Sequence, residues 1–338
     1  MDSKPLVSVI IPSYNRAGFL RRCLEHLASQ SYSALEVLII DDGSTDETLE
    51  LLETLRLQLP SLALRWFVNP GNLGANHGRN TGVREAHGKF VAFIDSDCYA
   101  ETDWLEQMVA AFDDDLVAAV TGRTYNVAPR TIYELAYKGS SIVHGCNDAP
   151  RLTSSNLLVR RTLALQFPFE EDLKYGCNEE GLYLRLKAAG YRQKVVPTAV
   201  VWHDHPYQAR GYFRRARILG AAAAWLVYKF RLPHRLDLLP FIAGYALLPL
   251  GYFGIEFLLP AATCFTLACA ALVYNELVRK QKTVRETLVS FPVVLAYYQV
   301  RLWAYIRETV KLHVLPNAIE RVDLSRYSIE VEAGSAPR

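Results

Sequence analysis

Short runs of consecutive apolar residues alternate with longer amphipathic stretches through the first part of this 338-residue chain. Leu6–Ile11, Leu35–Ile40, Leu62–Val68 and Lys89–Ile94 are rich in Val, Ile and Phe. Between and after them, Ala17–Gln30, Asp46–Leu59, Ala75–Ala86 and Thr102–Phe112 repeat their apolar residues at helical spacing. Nearly continuous apolar strands suit a sheet covered on both faces. Their alternation with helices predicts an α/β fold, a mostly parallel sheet flanked by helices, with a last strand over Lys194–Trp202. Such sheets bind ligands beyond the carboxyl ends of their strands, so the loops after each apolar run are where chemistry is expected.

The pattern changes in the C-terminal part. From Leu238 to Tyr274 the only charge is Glu256. A spanning helix needs about 20 apolar residues, so the tract has room for two short spans or a re-entrant hairpin, turning among Pro249, Gly251, Gly254 and Pro260. Thr287–Ile306, broken by Pro292 and Arg301, is a weaker apolar stretch. Ahead of the tract, Arg210, Arg214, Arg215, Arg217, Lys229, Arg231 and Arg235 follow with no acidic residue among them; Arg279, Lys280, Lys282 and Arg285 come after it. Basic flanks on both sides put both ends on the cytoplasmic face of a membrane and attract anionic lipids. A helical hairpin buried in a soluble all-α domain is the competing reading. The expected divisions are a catalytic domain over residues 1–206, basic amphipathic juxtamembrane helices over 207–236, an apolar hairpin and membrane-associated helix over 237–315, and a tail over 316–338.

Composition sharpens this only by contrast. There are 37 basic and 35 acidic residues, a net charge of +2, 51% hydrophobic residues and a mean hydropathy of +0.05. Those values exclude intrinsic disorder, and the absence of a strong basic field argues against a nucleic-acid partner. Six cysteines form no CxxC pair, which predicts reduced thiols and no structural zinc site. The N-terminus shows no basic segment followed by a cleavable apolar core.

Four polar loops follow the four apolar runs: Pro12-Ser13-Tyr14-Asn15-Arg16, Asp41-Asp42-Gly43-Ser44-Thr45-Asp46, Asn69-Pro70-Gly71-Asn72-Leu73-Gly74 and Asp95-Ser96-Asp97. Each alone is an ordinary strand-end turn. Together they line one edge of a sheet. Side chains two apart on an extended segment share a side, so Asp95 and Asp97 can approach one cation. Hard carboxylate ligands suit Mg2+ or Mn2+ bridging to a diphosphate.

VSVIIPSYNR, EVLIIDDGSTDET, GRNTGVREAHGKFVAFIDSD and GCNEEGLYLRLKAAGY, taken in order over Val7–His205, resemble a family 2 glycosyltransferase of GT-A fold. That resemblance implies that Pro12 and Asp42, with Tyr14, Asn15 and Arg16 of the same first loop, face the nucleotide, and that Arg79 and Asn80 lie against it. It implies that Asp97 binds the metal directly while Asp95 faces the ribose and a metal-bound water. The family's catalytic base belongs to an ED pair; counting back from Arg185-Leu186 puts Asn178 on its Glu and Glu179 on its Asp. Glu179 is therefore the expected base and Glu180 the alternative one residue on, although both also suit a helix N-terminus. Ser155 and Asn156, in Thr153-Ser154-Ser155-Asn156, resemble the acceptor-side segment that lines the sugar pocket. His203 or His205, after the last strand, can complete metal or diphosphate coordination.

The expected reaction is single displacement at the anomeric carbon of a nucleotide-diphosphate sugar, with inversion. UDP is the favoured nucleotide, and the apolar tract argues for a lipid-linked, membrane-held acceptor. A soluble acceptor is the alternative, and a non-catalytic nucleotide-binding membrane scaffold is the rival of another class. A nucleotidyltransferase would show a Gly-rich basic loop after the first strand, which PSYNRAG does not offer. A glycosidase is disfavoured because Asp95 and Asp97 are too close together to flank a sugar.

Overall fold

A computed structural model describes residues 4–138, 152–173, 176, 179–204, 207–233, 239–252, 258–314 and 321–324. The chain divides into two compact units, one drawn from Met1–Val127, Ser141–His205 and Asp323–Arg338, the other from Ala128–Ser140 and Pro206–Val322.

The first unit opens as the apolar pattern predicts. β1 (Val7–Ser13), α1 (Ala17–Ala28), β2 (Leu35–Asp41), α2 (Thr48–Gln58), β3 (Ala63–Val68), α3 (Ala75–Glu85) and β4 (Phe90–Phe93) follow in order. β1 pairs in parallel with β2 and β4, and β2 with β3. Every residue of β2 and β4 is buried, as continuous apolar runs require. Beyond β4 the sheet becomes mixed. β5 (Cys98–Ala100), α4 (Trp104–Ala110), β6 (Val117–Asn126), β7 (Leu157–Arg160), α6 (Arg161–Gln166), α7 (Glu180–Ala188) and β8 (Arg192–His203) complete it. The strand order is β3-β2-β1-β4-β7-β6-β8-β5. β7 runs antiparallel to β4 and β6, β6 is parallel to β8, and β5 is antiparallel to β8. One core layer gathers Leu20, Leu24, Trp104 and Met108 on one face; another gathers Val83, Leu163, Leu182 and Leu186 on the other. α3 reaches the sheet closely because residue 82 is glycine: a Cβ there would lie 2.4 Å from Ile10 Cγ2.

The second unit is helical: α5 (Ile132–Tyr137), α8 (Ala209–Lys229), α9 (Leu239–Leu247), a 3-10 turn (Leu248–Tyr252), α10 (Leu258–Tyr274) continued by a π turn (Asn275–Arg279), and α11 (Val284–Val314). α8 and α11 pack tightly at Gly220, where a Cβ would lie 2.2 Å from the Arg301 carbonyl oxygen. α5 groups with these helices even though its sequence lies between β6 and β7. The stretch Ala128–Ser140 thus belongs to the helical unit. It is anchored there by charge: Lys282 Nζ donates to the Ala136 carbonyl at 3.1 Å and also pairs with Glu276, while Lys138 pairs with Glu286 at 2.6 Å. Tyr137, Tyr212 and Tyr297 form the adjoining apolar cluster.

Leu258–Arg279 is the one helix among the described residues long and apolar enough to cross a membrane, and only 17% of its most apolar window is buried. Within the described residues α9 has nine residues, about 14 Å of rise against a hydrocarbon core of about 30 Å. The turn residue Gly254 lies outside the described residues.

Candidate active site

The four polar loops converge because their strands are parallel neighbours, so all four emerge at one edge. The first two are tied directly. Asn15 takes a left-handed backbone (φ 51°). Its Oδ1 accepts from the Thr45 and Asp46 amides at 2.7 and 3.3 Å, and its own amide donates to Ser44 Oγ at 2.8 Å. Asp46 accepts from the Ala17 amide at the start of α1 and from the Thr48 amide and hydroxyl. Burial works to raise the Asp46 pKa, but these bonds outweigh it and hold it below the usual carboxylate value.

Asp42 binds the third loop. Its carboxylate accepts from Leu73 N (2.9 Å), Gly74 N (2.7 Å) and Asn69 Nδ2 (3.0 Å). Around these braces, Pro12 is half-buried, Tyr14 is exposed, and Arg16 lies over the Phe19 ring. The candidate nucleotide residues of the first loops therefore also hold that loop rim together.

Arg79, on α3, is the pivot of the centre. Its side chain is 2% exposed, its Nη2 donates to Asp95 Oδ1 at 2.8 Å and its Nη1 to Asn76 Oδ1 at 3.2 Å. Asn76 in turn donates to the carbonyls of Glu170 and Leu173. Glu170 pairs with Arg185 of α7. A buried polar chain thus runs from α7 to Asp95. Asn80 fixes the same loop, exchanging bonds with the Phe169 backbone and donating to Glu171 at 2.8 Å. Burial would raise the Glu171 pKa, yet Asn80 and His77 bring it down.

Asp97 meets His203 across the sheet: His203 Nε2 lies 3.0 Å from Asp97 Oδ1, with side chains 6% and 10% exposed. β5 and β8 set this up, because their register pairs Cys98 with His203 and the Asp204 amide donates to the Asp97 carbonyl. Asp95, Asp97, Cys98 and His203 each offer one ligand atom, and those atoms all lie within 4.8 Å of one another. Two carboxylates and an imidazole at that spacing fit a divalent cation. Of this set, sequence reasoning expected both aspartates and His203; it missed Cys98. It also missed the brace behind it, in which the Tyr99 hydroxyl donates to Asp204 at 2.7 Å and the Arg22 guanidinium lies 3.8 Å from the Tyr99 ring centre. Burial, with Asp97 and Asp95 adding, pushes the Cys23 and Cys98 thiols up, so both are neutral at pH 7.

Glu179 and Glu180 are both half-buried, Glu179 at the N-cap of α7 and Glu180 in its first turn. Asn178 and His205 lie outside the described residues. Ser155 is buried, and Asn156 is completely so. The Asn156 amide accepts from Trp104 Nε1 at 2.8 Å and donates to the Arg123 and Ala199 carbonyls at 3.2 Å. It cross-links α4, β6 and β8 from inside the core, where a position on a pocket floor was expected.

Residues 8–166 match the family model described as glycosyl transferase family 2. Over 120 residues the chain is 40% identical to the uncharacterized glycosyltransferase YibD of Escherichia coli K12, covering 35% of this chain and 34% of that one. Over 236 residues it is 31% identical to the pre-mycofactocin glycosyltransferase of Mycobacterium tuberculosis, covering 66% and 48%. It thus spans less than half the length of these curated relatives. A solved structure of the mannosyltransferase PcManGT from Pyrobaculum calidifontis, in complex with GDP-Man and Mn2+, has a TM-score of 0.58 at 24% identity, over 91% of this chain and 88% of that one. That likeness is one of fold, the GT-A arrangement that the motif resemblance implied.

Proposed function

The chain carries a glycosyl transferase family 2 domain over residues 8–166, and from that premise we propose a specific reaction for it. The protein transfers a sugar from a nucleotide-diphosphate sugar, a UDP-sugar first among them, to a hydroxyl of a lipid-linked, membrane-held acceptor, with inversion, in glycan or cell-envelope polysaccharide synthesis. The observation that carries this reading is the cluster of Asp95, Asp97 and His203 ligand atoms at the strand-end edge, with Arg79 holding Asp95 from behind.

Pro12, Tyr14, Asn15, Arg16, Asp42, Arg79 and Asn80 frame the nucleotide. Asp97, with Asp95 and His203, would hold a divalent cation, Mg2+ or Mn2+, which would supply positive charge to a departing diphosphate. Arg79 keeps the Asp95 carboxylate oriented, and His203 does the same for Asp97. Glu179 takes the proton of the acceptor hydroxyl as it attacks, with Glu180 the alternative base. With one base assigned and no carboxylate assigned as nucleophile, the reaction is a single displacement, hence inversion. Ser155 and Asn156 act on the acceptor side by shaping the backbone rather than by direct contact, in keeping with their burial. The exposed apolar surface of α10, with Leu259 74% and Leu267 59% exposed, supports an acceptor presented at a membrane. The basic residues on both sides of α10 favour its cytoplasmic face.

The test is nucleotide release by the full chain in detergent, from a panel of UDP-, GDP- and dTDP-sugars, with lipid extract as acceptor source. The GDP arm is included because PcManGT is solved with GDP-Man. Release is expected to require Mg2+ or Mn2+ and to fall about 100-fold or more in Asp97→Ala and in Glu179→Gln. Undiminished turnover in both variants would overturn the residue assignments, and no turnover with any donor would overturn the activity.

A further inference from the structure

Cys98 sits where the proposed function needs no sulfur. It follows Asp97 directly, opens β5, and is completely buried. The turn from Asp95 closes through its amide, which donates to the Asp95 carbonyl at 3.0 Å. Its β-partner is His203. The Sγ atom is one of four ligand atoms lying mutually within 4.8 Å, the others belonging to Asp95, Asp97 and His203. Cys23, on α1, makes the contrast: its Sγ lies 3.9 Å from the Asp95 main-chain carbonyl, and it is not part of the four-atom group.

From this geometry we propose that Cys98 is a metal ligand, and that it makes the cluster a mixed carboxylate–imidazole–thiolate site able to bind thiophilic divalent cations such as Zn2+, Co2+ and Cd2+. The proposal rests on the metal-site reading above and adds to it a specificity-determining residue. Hard ions such as Mg2+ and Mn2+ are held by oxygen donors, while thiolate and imidazole favour zinc-like ions. With Mg2+ or Mn2+, the aspartates and His203 carry the binding and the Cys98 thiol stays protonated beside them. With Zn2+, Co2+ or Cd2+, a sulfur–metal bond forms, the S–H bond breaks, and the proton leaves to solvent. No electron changes hands. The sulfur-bound ion occupies the place of the Mg2+ or Mn2+ ion, so a thiophilic ion competes with the ion that supports transfer.

The burial of Cys98 also admits a purely packing role, since it belongs to the same core layer as Leu20 and Leu24. The experiment separates the two. Full chain in detergent is titrated with Co2+, following the near-ultraviolet sulfur-to-cobalt charge-transfer band, and Mn2+ binding is measured in parallel by electron paramagnetic resonance. The band is expected in the unmodified chain, absent in Cys98→Ser, and retained in Cys23→Ser. Cys98→Ser should weaken Cd2+ binding about tenfold or more while changing Mn2+ binding less than about threefold. X-ray absorption on the Zn2+ form of the unmodified chain needs no variant and should show one sulfur neighbour at about 2.3 Å. Mn2+ binding with no sulfur signal in either measurement would overturn the role of Cys98 and leave the metal site standing. Failure of every divalent cation to bind would overturn both.

Discussion

The Arg79–Asp95 pair holds Asp95 in place beside Asp97, and its worth can be worked from the geometry. Arg79 is 2% exposed, Asp95 is 30% exposed, and the nitrogen–oxygen distance is 2.8 Å. At an effective dielectric of about 20, opposite charges at that distance attract by about 6 kcal/mol. Solvent reaches the 30% exposed Asp95 and screens the pair, and Asn at position 95 keeps an acceptor for the remaining Arg. A double-mutant cycle with Arg79→Met and Asp95→Asn should therefore return a coupling of about 2–3 kcal/mol. The readout is hydrogen exchange of peptides spanning β1 and β4 in chelator, which reports opening of the catalytic unit by itself. Each single variant should raise exchange, and the double variant should raise it by much less than the sum. In addition, Mn2+ should slow exchange more in Arg79→Met than in the unmodified chain, because the cation takes over the neutralisation of Asp95. A coupling below about 0.5 kcal/mol would refute the reasoning, for then Arg79 packs against Phe169 and Asn76 without holding Asp95 electrostatically.

Two other outcomes follow from different parts of the molecule. Glu36 is buried at the opposite end of β2, where burial would raise its pKa, but Ser8 Oγ, the His87 amide and Arg65 outweigh that and lower it below the usual 4.5. A lowered carboxylate pKa gives stability that is present above pH 4.5 and lost as pH falls through the folded value. Glu36→Gln should therefore cost about 2–3 kcal/mol at pH 7 and progressively less toward pH 3, measured as urea midpoints. A pH-independent difference would sink that account. On α10, Leu259→Asp and Leu267→Asp each place a charge on an exposed apolar face. Binding to lipid vesicles should fall about tenfold for each, less than the roughly 3 kcal/mol of a charge at mid-bilayer, with nucleotide release in detergent unchanged. Unaltered vesicle binding would remove α10 from the membrane contact.

Much of the first unit is legible along the chain because its contacts are local in kind. Continuous apolar runs specify buried parallel strands whatever their neighbours, and the loop after each run then falls at the ligand edge. Asp95 and Asp97 are two apart in sequence, so the motif is legible in the chain, but a turn closed by the Cys98 amide on the Asp95 carbonyl, rather than extended strand, brings them together. Asn156 shows the limit of that reasoning. Thr153-Ser154-Ser155-Asn156 resembles a segment lining a sugar pocket, yet Trp104 and two carbonyls far away in sequence satisfy the Asn156 amide and hold it in the core. The excursion of α5 into the helical unit was equally invisible, because Lys282, Glu276 and Glu286 that anchor it lie far along the chain.

Sequence alone determined the α/β half, the strand-end chemistry, the presence of an apolar tract with basic flanks, and the pair of aspartates. The sequence offered His203 and His205 without a geometry; only the tertiary structure brought His203 onto Asp97. His203 meets Asp97 because β5 and β8 pair antiparallel at one register, and cross-strand pairing between segments a hundred residues apart is fixed by packing and hydrogen bonding rather than by any local pattern.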